Sequence, residues 1–110
     1  MKLLAPHWQR FLALRVKSAD VVAMTPRLGR GAILVIDRHY NALTPWKQER
    51  NMYLVRSGGE YMVRYIEEAG GELVLRSHNP ELPLQVLLPE SGSDSLSAIV
   101  GRVCFVHLHV

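Results

Sequence analysis

Glycine, proline and short polar runs break the chain into apolar segments, most of which alternate with period two. That spacing puts every second side chain on one face of a strand. Phe11-Leu12-Ala13-Leu14-Arg15-Val16 carries Leu12, Leu14 and Val16 on one face, and Lys17 to Asp20 is expected to lead from it through a turn. Ala32-Ile33-Leu34-Val35-Ile36 is apolar on both faces and closed by Asp37, the pattern of a central strand covered on two sides. The polar stretch from Arg38 to Arg50 reads as a loop, with Thr44 and Pro45 opening one helical turn.

Asn51–Arg56 and Glu60–Glu67 flank Ser57-Gly58-Gly59, and Ala69-Gly70-Gly71 leads into Glu72–Arg76. Both glycine pairs are suited to the positive φ values of tight hairpins. A further strand is expected over Leu84–Leu88 and a solvated loop over Pro89–Ser97. From Ala98 to Val110 the alternation is sustained, so this is expected to be the longest strand, with Val103, Phe105, His107 and His109 on one face. About seven short strands with glycine turns, and no helix of ordinary length, imply an all-β domain of twisted sheets forming a partly open barrel.

With 110 residues the chain is one domain's length, 11–110 forming the domain and 1–10 an extension or linker remnant. No apolar run approaches the roughly 20 residues of a membrane span, and the N-terminus is too short in apolar residues for a signal peptide. A cytoplasmic protein with no membrane contact is expected. Cys104 is the single cysteine, which removes disulfides and zinc clusters and suggests a reduced, buried thiol. The net charge of +3 and pI near 9.4 are spread along the chain, a mild bias toward anionic partners rather than a nucleic-acid footprint. His107 and His109 have the spacing of two metal ligands but no third, so neither a metal nor a cofactor is expected.

The most informative stretch is Val21-Val22-Ala23-Met24-Thr25-Pro26, followed by Gly31 and the apolar strand. It resembles the Ser-Met-x-Pro…Gly-Asp signature of the LexA-type repressor and signal-peptidase superfamily, with Ala23 at the position of the nucleophilic serine. Tyr61-Met62-Val63-Arg64-Tyr65 resembles the family strand that carries the lysine base, with Arg64 at that position. Ser77-His78-Asn79-Pro80 is similar to the family's Asn-Pro turn, and Ile99-Val100-Gly101-Arg102-Val103 to its closing strand. The resemblance implies a fold like the LexA C-terminal domain and, in active members, a Ser-Lys dyad that cleaves its own chain.

Here the dyad chemistry is missing at both positions. Alanine offers no nucleophilic atom, and a guanidinium stays protonated, so Arg64 cannot accept a proton. No glycine precedes Gly29, so the family's small-residue–glycine cleavage segment is also absent upstream of Ala23. Thr25 reads as a turn residue, and Ser77 and His78, as neighbours on a strand, point to opposite faces.

Met24, Pro26 and Arg64 are the candidate lining of a degenerate groove, in which Arg64 binds a carboxylate or peptide carbonyls. The plainer alternative pairs Arg64 with an acid such as Glu60, Glu72 or Asp37. The resemblance further implies homodimerisation, for which the last strand offers Val103, Phe105, His107 and His109 along an unpaired edge. DNA would be met only through a separate N-terminal helix-turn-helix domain, as in repressors of the SOS response.

Three functions are thus expected in order: a non-catalytic regulatory and dimerisation domain of a repressor, a self-cleaving serine peptidase with a replaced nucleophile, and a basic barrel binding single-stranded nucleic acid. The last would use Trp8, Trp46, Tyr53, Tyr61 and Tyr65 as stacking platforms.

Overall fold

The computed structural model describes residues 9–39, 50–88 and 95–107. Seven strands form one antiparallel sheet: β1 (Phe11–Arg15), β2 (Ile33–Asp37), β3 (Tyr53–Ser57), β4 (Glu60–Ala69), β5 (Glu72–Arg76), β6 (Gln85–Val86) and β7 (Ile99–His107). Their spatial order is β1-β2-β7-β3-β4-β5-β6. The all-β class is as the sequence implies; the sheet is open, with β1 and β6 at its edges, and does not close into a barrel. The expected helical turn at Thr44-Pro45 and most of the loop over Pro89–Ser97 lie outside the described residues. A 3₁₀ turn, Ser95–Ala98, leads into β7.

Both hairpins form where the glycines stand. Gly58 and Gly59 have φ of 61° and 85°, and Gly70 and Gly71 of 60° and 82°, the doubly left-handed turn whose twist matches that of the flanking strands. The sheet is buried on two faces. Leu54 belongs to a cluster with Ala23, Met24, Leu34, Ile36 and Val63, while its neighbours Tyr53 and Val55 join Ile66, Leu75 and Ile99 in a second. Strand alternation puts the two clusters on opposite sides.

The stretch after β1 is not a turn. Ser18–Met24 forms a short helix, α1, whose buried residues are Asp20, Ala23 and Met24, the i, i+3, i+4 set of one helical face. Lys17 provides no side-chain cap, and seven residues are too few for a helix to persist in water alone. Tertiary contacts therefore hold it.

The docking place is a gap in the sheet. β5 pairs only with Tyr65–Ala69 of the ten-residue β4, so the first half of β4 has β3 on one side and, among the described residues, no ladder partner on the other. There α1 substitutes for a strand. Lys17 Nζ donates to the Tyr61 carbonyl, and Asp20 Oδ1 accepts the Val63 N–H at 3.3 Å and the Arg64 guanidinium at 2.9 Å.

β7 carries two irregularities. Val35 faces Phe105 but Ile36 faces Val103, leaving Cys104 as an extra residue; Leu54 faces Gly101 but Val55 faces Ile99, leaving Val100 as another. Such bulges break the in-out alternation. Cys104 is consequently exposed, not the buried thiol expected from regular alternation, and Val103 is a core residue while Phe105 is 56% exposed. At ten residues β4, not the last strand, is the longest described.

Gly101 is where β7 meets β2 most closely. A Cβ there would lie 2.5 Å from the Asp37 carbonyl oxygen and 2.7 Å from Ile36 Cγ2. Beside it, Asp37 ends β2 in a two-pronged pair with Arg10 at 3.0 and 3.1 Å and accepts the His39 N–H at 2.8 Å. The Arg10 hydrogen bond first, and the His39 N–H after it, overcome the opposing effect of burial and bring the Asp37 carboxyl down to about 2.

Two outcomes are expected. Gly101→Ala pushes backbone against backbone and costs about 1–3 kcal/mol, read as a lowered urea midpoint; an unchanged midpoint would contradict the close approach. Because the Asp37 carboxyl is depressed when folded, its stabilisation is complete at neutral pH and declines as pH falls from about 4, vanishing below about 2. Asp37→Asn should therefore be less stable at pH 7 and show a flatter loss of stability across that acid window, measured by urea unfolding at stepped pH.

Candidate functional site

Two segments that are far apart in sequence meet at the buried face of α1. Ala23 lies one helical turn beyond Asp20 and is 1% exposed. Its carbonyl oxygen accepts two backbone N–H groups, from His78 at 2.9 Å and Asn79 at 3.2 Å, so the Ser77–Pro80 turn is fastened to the end of the helix. Arg64 approaches the same face from β4 through Asp20, and i, i+3 neighbours share a helix face. Asp20 thus ties Arg64 of β4 to the helix that bears Ala23.

Arg64 is paired, but not with the acids the sequence suggested. Its partner is Asp20 of α1, not Glu60, Glu72 or Asp37, and a second bond goes to the Val63 carbonyl at 2.7 Å. The guanidinium and carboxylate side chains are 14% and 4% exposed. In such surroundings a charge pair is held tightly, because separating it would strand a desolvated charge. The site presents no group able to attack a carbonyl at position 23 and no free base at position 64.

The candidate groove does not form as expected. Met24 is a core residue with no exposure. Pro26, after a cis peptide bond, is exposed, and Arg64 is turned to Asp20. Two cavities lie elsewhere. One, of about 430 Å³, is apolar and lined by Leu12, Leu14, Leu54, Tyr61 and Val100 with Arg38. The other, of about 250 Å³, is polar and lined by Arg50, Tyr65, Arg76, Ser77, His78 and Pro80.

At the polar cavity the Tyr65 hydroxyl lies 2.8 Å from His78 Nδ1 and 3.5 Å from the Arg27 guanidinium. That guanidinium also donates to the Arg50 carbonyl and sits 5.7 Å from the centre of the Tyr65 ring.

The face proposed for self-association is only partly on the surface. Val103 is buried and Phe105 and His107 are exposed; His109 lies outside the described residues. β7 pairs with β3 over Ile99–Arg102 and with β2 from Arg102 to His107, and the Val103 N–H adds a bond to the Met52 carbonyl. From Cys104 to His107 it pairs with β2 on one side and has no ladder partner on the other among the described residues. Of the aromatic platforms, Trp8 and Trp46 lie outside the described residues, Tyr53 and Tyr65 are core residues, and Tyr61 is half-exposed beneath the Arg56 guanidinium.

Sequence reasoning did not foresee the contacts of Lys17, Asp20, Arg27 and His78. For Asp20 a signal existed: Asp20, Ala23 and Met24 stand at helical spacing, and an acid on an otherwise apolar stripe requires a cationic partner. Among the described residues there is no cluster of three metal-ligating side chains and no helix long and apolar enough to cross a membrane.

A model of the family described as Peptidase S24-like matches residues 5–104, a span that includes α1, the Arg64 strand, the Asn79-Pro80 turn and most of β7. No curated protein matches the chain. The order of those landmarks and the extent of the match place the chain by descent: it belongs to the Peptidase S24-like family, within the LexA and signal-peptidase superfamily.

Proposed function

We propose that this domain is a pseudo-peptidase, a LexA-like module that has given up catalysis and serves regulation and self-association in a transcriptional repressor. The observation that carries the reading is the Arg64–Asp20 pair at 2.9 Å, one helical turn from Ala23. A working dyad needs a buried amine that is neutral enough to take a hydroxyl proton. Arginine stays protonated, and here its charge is matched by a carboxylate from the same helix that bears Ala23. The pair makes the position a structural tie between α1 and β4.

Self-association is assigned to the outer half of β7. Phe105 exposes a large apolar surface, and the Cys104–His107 edge lacks a ladder partner on one side among the described residues. An edge of this kind pairs readily with its symmetry mate. DNA would then be bound by a separate helix-turn-helix half, whose spacing on two half-sites the dimer sets.

Intact-mass spectrometry after long incubation from neutral to alkaline pH is expected to show an uncleaved chain. Ala23→Ser alone should leave it uncleaved, since Arg64 cannot activate the hydroxyl. Specific self-cleavage of the unmodified protein would instead establish the peptidase reading. By sedimentation equilibrium the protein should be a dimer, and Phe105→Arg should weaken the dimer by about tenfold or more, a loss of ~1.4 kcal/mol, without lowering the thermal midpoint of the monomer. A monomeric unmodified protein would remove the dimerisation role and leave the catalytic argument standing.

A further inference from the structure

The Ser77–Pro80 turn is held at two points, by backbone N–H groups on α1 and by the His78 ring on β4. We propose that His78 is an acid-sensitive latch: its neutral ring fastens the turn, and a proton on Nδ1 releases it. The His78 and Asn79 N–H groups both end on the Ala23 carbonyl, while His78 Nδ1 lies 2.8 Å from the Tyr65 hydroxyl. His78 also lines the cavity of about 250 Å³ and is half-buried, so water reaches the ring.

The polarity of the Tyr65 contact sets the state of the ring. Tyr65 is 1% exposed, and its hydroxyl has two partners among the described residues, the Arg27 guanidinium at 3.5 Å and His78 Nδ1. Arg27 has only donors, so the phenol oxygen accepts there and the O–H has His78 as its acceptor. Nδ1 is therefore the bare nitrogen, and Nε2 carries the proton. Protonation turns both ring nitrogens into donors. The Nδ1–H and the phenol O–H then oppose each other, and no other acceptor stands by the phenol among the described residues. A buried donor left without a partner is costly, so ring and hydroxyl separate.

The charged groups on the surrounding elements do not undo this reversal. Arg27 comes from the α1–β2 connection, Arg50 from the approach to β3 and Arg76 from β5; all three are cations, and Arg50 and Arg76 have partners of their own. The Glu67 carboxylate of β4 is committed to Arg76 at 2.7 Å, and Asp20 of α1 to Arg64 at 2.9 Å. Glu81, just beyond the turn, is exposed. None of these carboxylates is bonded to the ring. Release is felt at α1 because ring and N–H belong to one residue: with Tyr65 lost as an anchor, the turn's hold on the Ala23 carbonyl weakens. None of this depends on Ala23 and Arg64 being a former dyad.

The experiment follows amide hydrogen exchange of the full chain by NMR from about pH 7.5 to about pH 5, the range in which imidazoles change charge. Each rate is divided by its intrinsic value, and the His78 titration is read from its ring carbon shifts. The Asp37 carboxyl, at about 2, stays ionised throughout. Protection of the His78 and Asn79 amides is expected to fall about tenfold or more as the His78 ring takes up its proton.

Tyr65→Phe, which removes the hydroxyl, and His78→Gln, which keeps an acceptor but does not titrate, should each abolish the pH step, with thermal midpoints that show the domain folded. His107→Gln, at an exposed position on β7, should leave the step in place. A ring that titrates while both amides keep their protection, a ring that stays neutral down to the lowest pH, or a step that survives in either of the first two variants would overturn the proposal.

Discussion

The contact on which the rest of the molecule depends is the side-chain replacement of a missing strand along the first half of β4. A ten-residue strand flanked on one side by a five-residue neighbour leaves backbone donors and acceptors without ladder partners. Left bare and buried they would be costly, and left bare and exposed they would invite another chain. Lys17 and Asp20 take the Tyr61 carbonyl and the Val63 N–H, and Asp20 matches the Arg64 charge in the same move. Removing one partner of so buried a pair costs about 3–5 kcal/mol, a large share of the 5–15 kcal/mol typical of a whole domain. Helix, strand and turn around Ala23 are therefore one cooperative unit: α1 exists because β4 needs it, and the Ser77–Pro80 turn is fixed because α1 is there to bind it.

The two bulges of β7 play the corresponding part on the other side of the sheet. A regular strand would have carried Val103 and Phe105 outward or inward together. With Cys104 inserted as an extra residue, Val103 seals the core while Cys104 and Phe105 remain outside. The second bulge lets Gly101 sit against the end of β2, where the Arg10–Asp37 pair and the Asp37–His39 contact finish that strand. One strand thereby supplies both the central ladder and an exposed apolar residue beside an unshared edge.

Most of the sheet could be read from the chain because its signals are local. Paired glycines fix the two hairpins and so place β5, period-two alternation marks β1, and continuous apolarity marks β2 as interior. α1 was not legible because its propensity is weak: Val21 and Val22 are β-branched, no side chain caps the start, and the helix is stabilised by atoms 43 and 44 residues away. The bulges were hidden for a related reason, since Cys104 and Val100 become extra residues only through pairing with β2 and β3. At the site, the sequence singled out Ala23 and Arg64 but not the partner of Arg64, because the acid came from a segment read as a turn. The smaller cavity was out of reach entirely, its lining coming from the approach to β3, from β4, and from the end of β5 with the turn after it.

On the proposed reading, arginine at position 64 in place of the family's lysine has a physical logic of its own. A catalytic lysine must be desolvated and poorly neutralised, for its amine to be a base near neutral pH, and such a site stores an uncompensated burial cost. Once a hydroxyl no longer stands at position 23, that arrangement yields nothing in return. Arginine beside Asp20 reverses it: the charge is permanent, matched and shared with the Val63 carbonyl, so the strained base becomes a fastening. On that reading the domain gains rigidity where a working dyad needs reactivity.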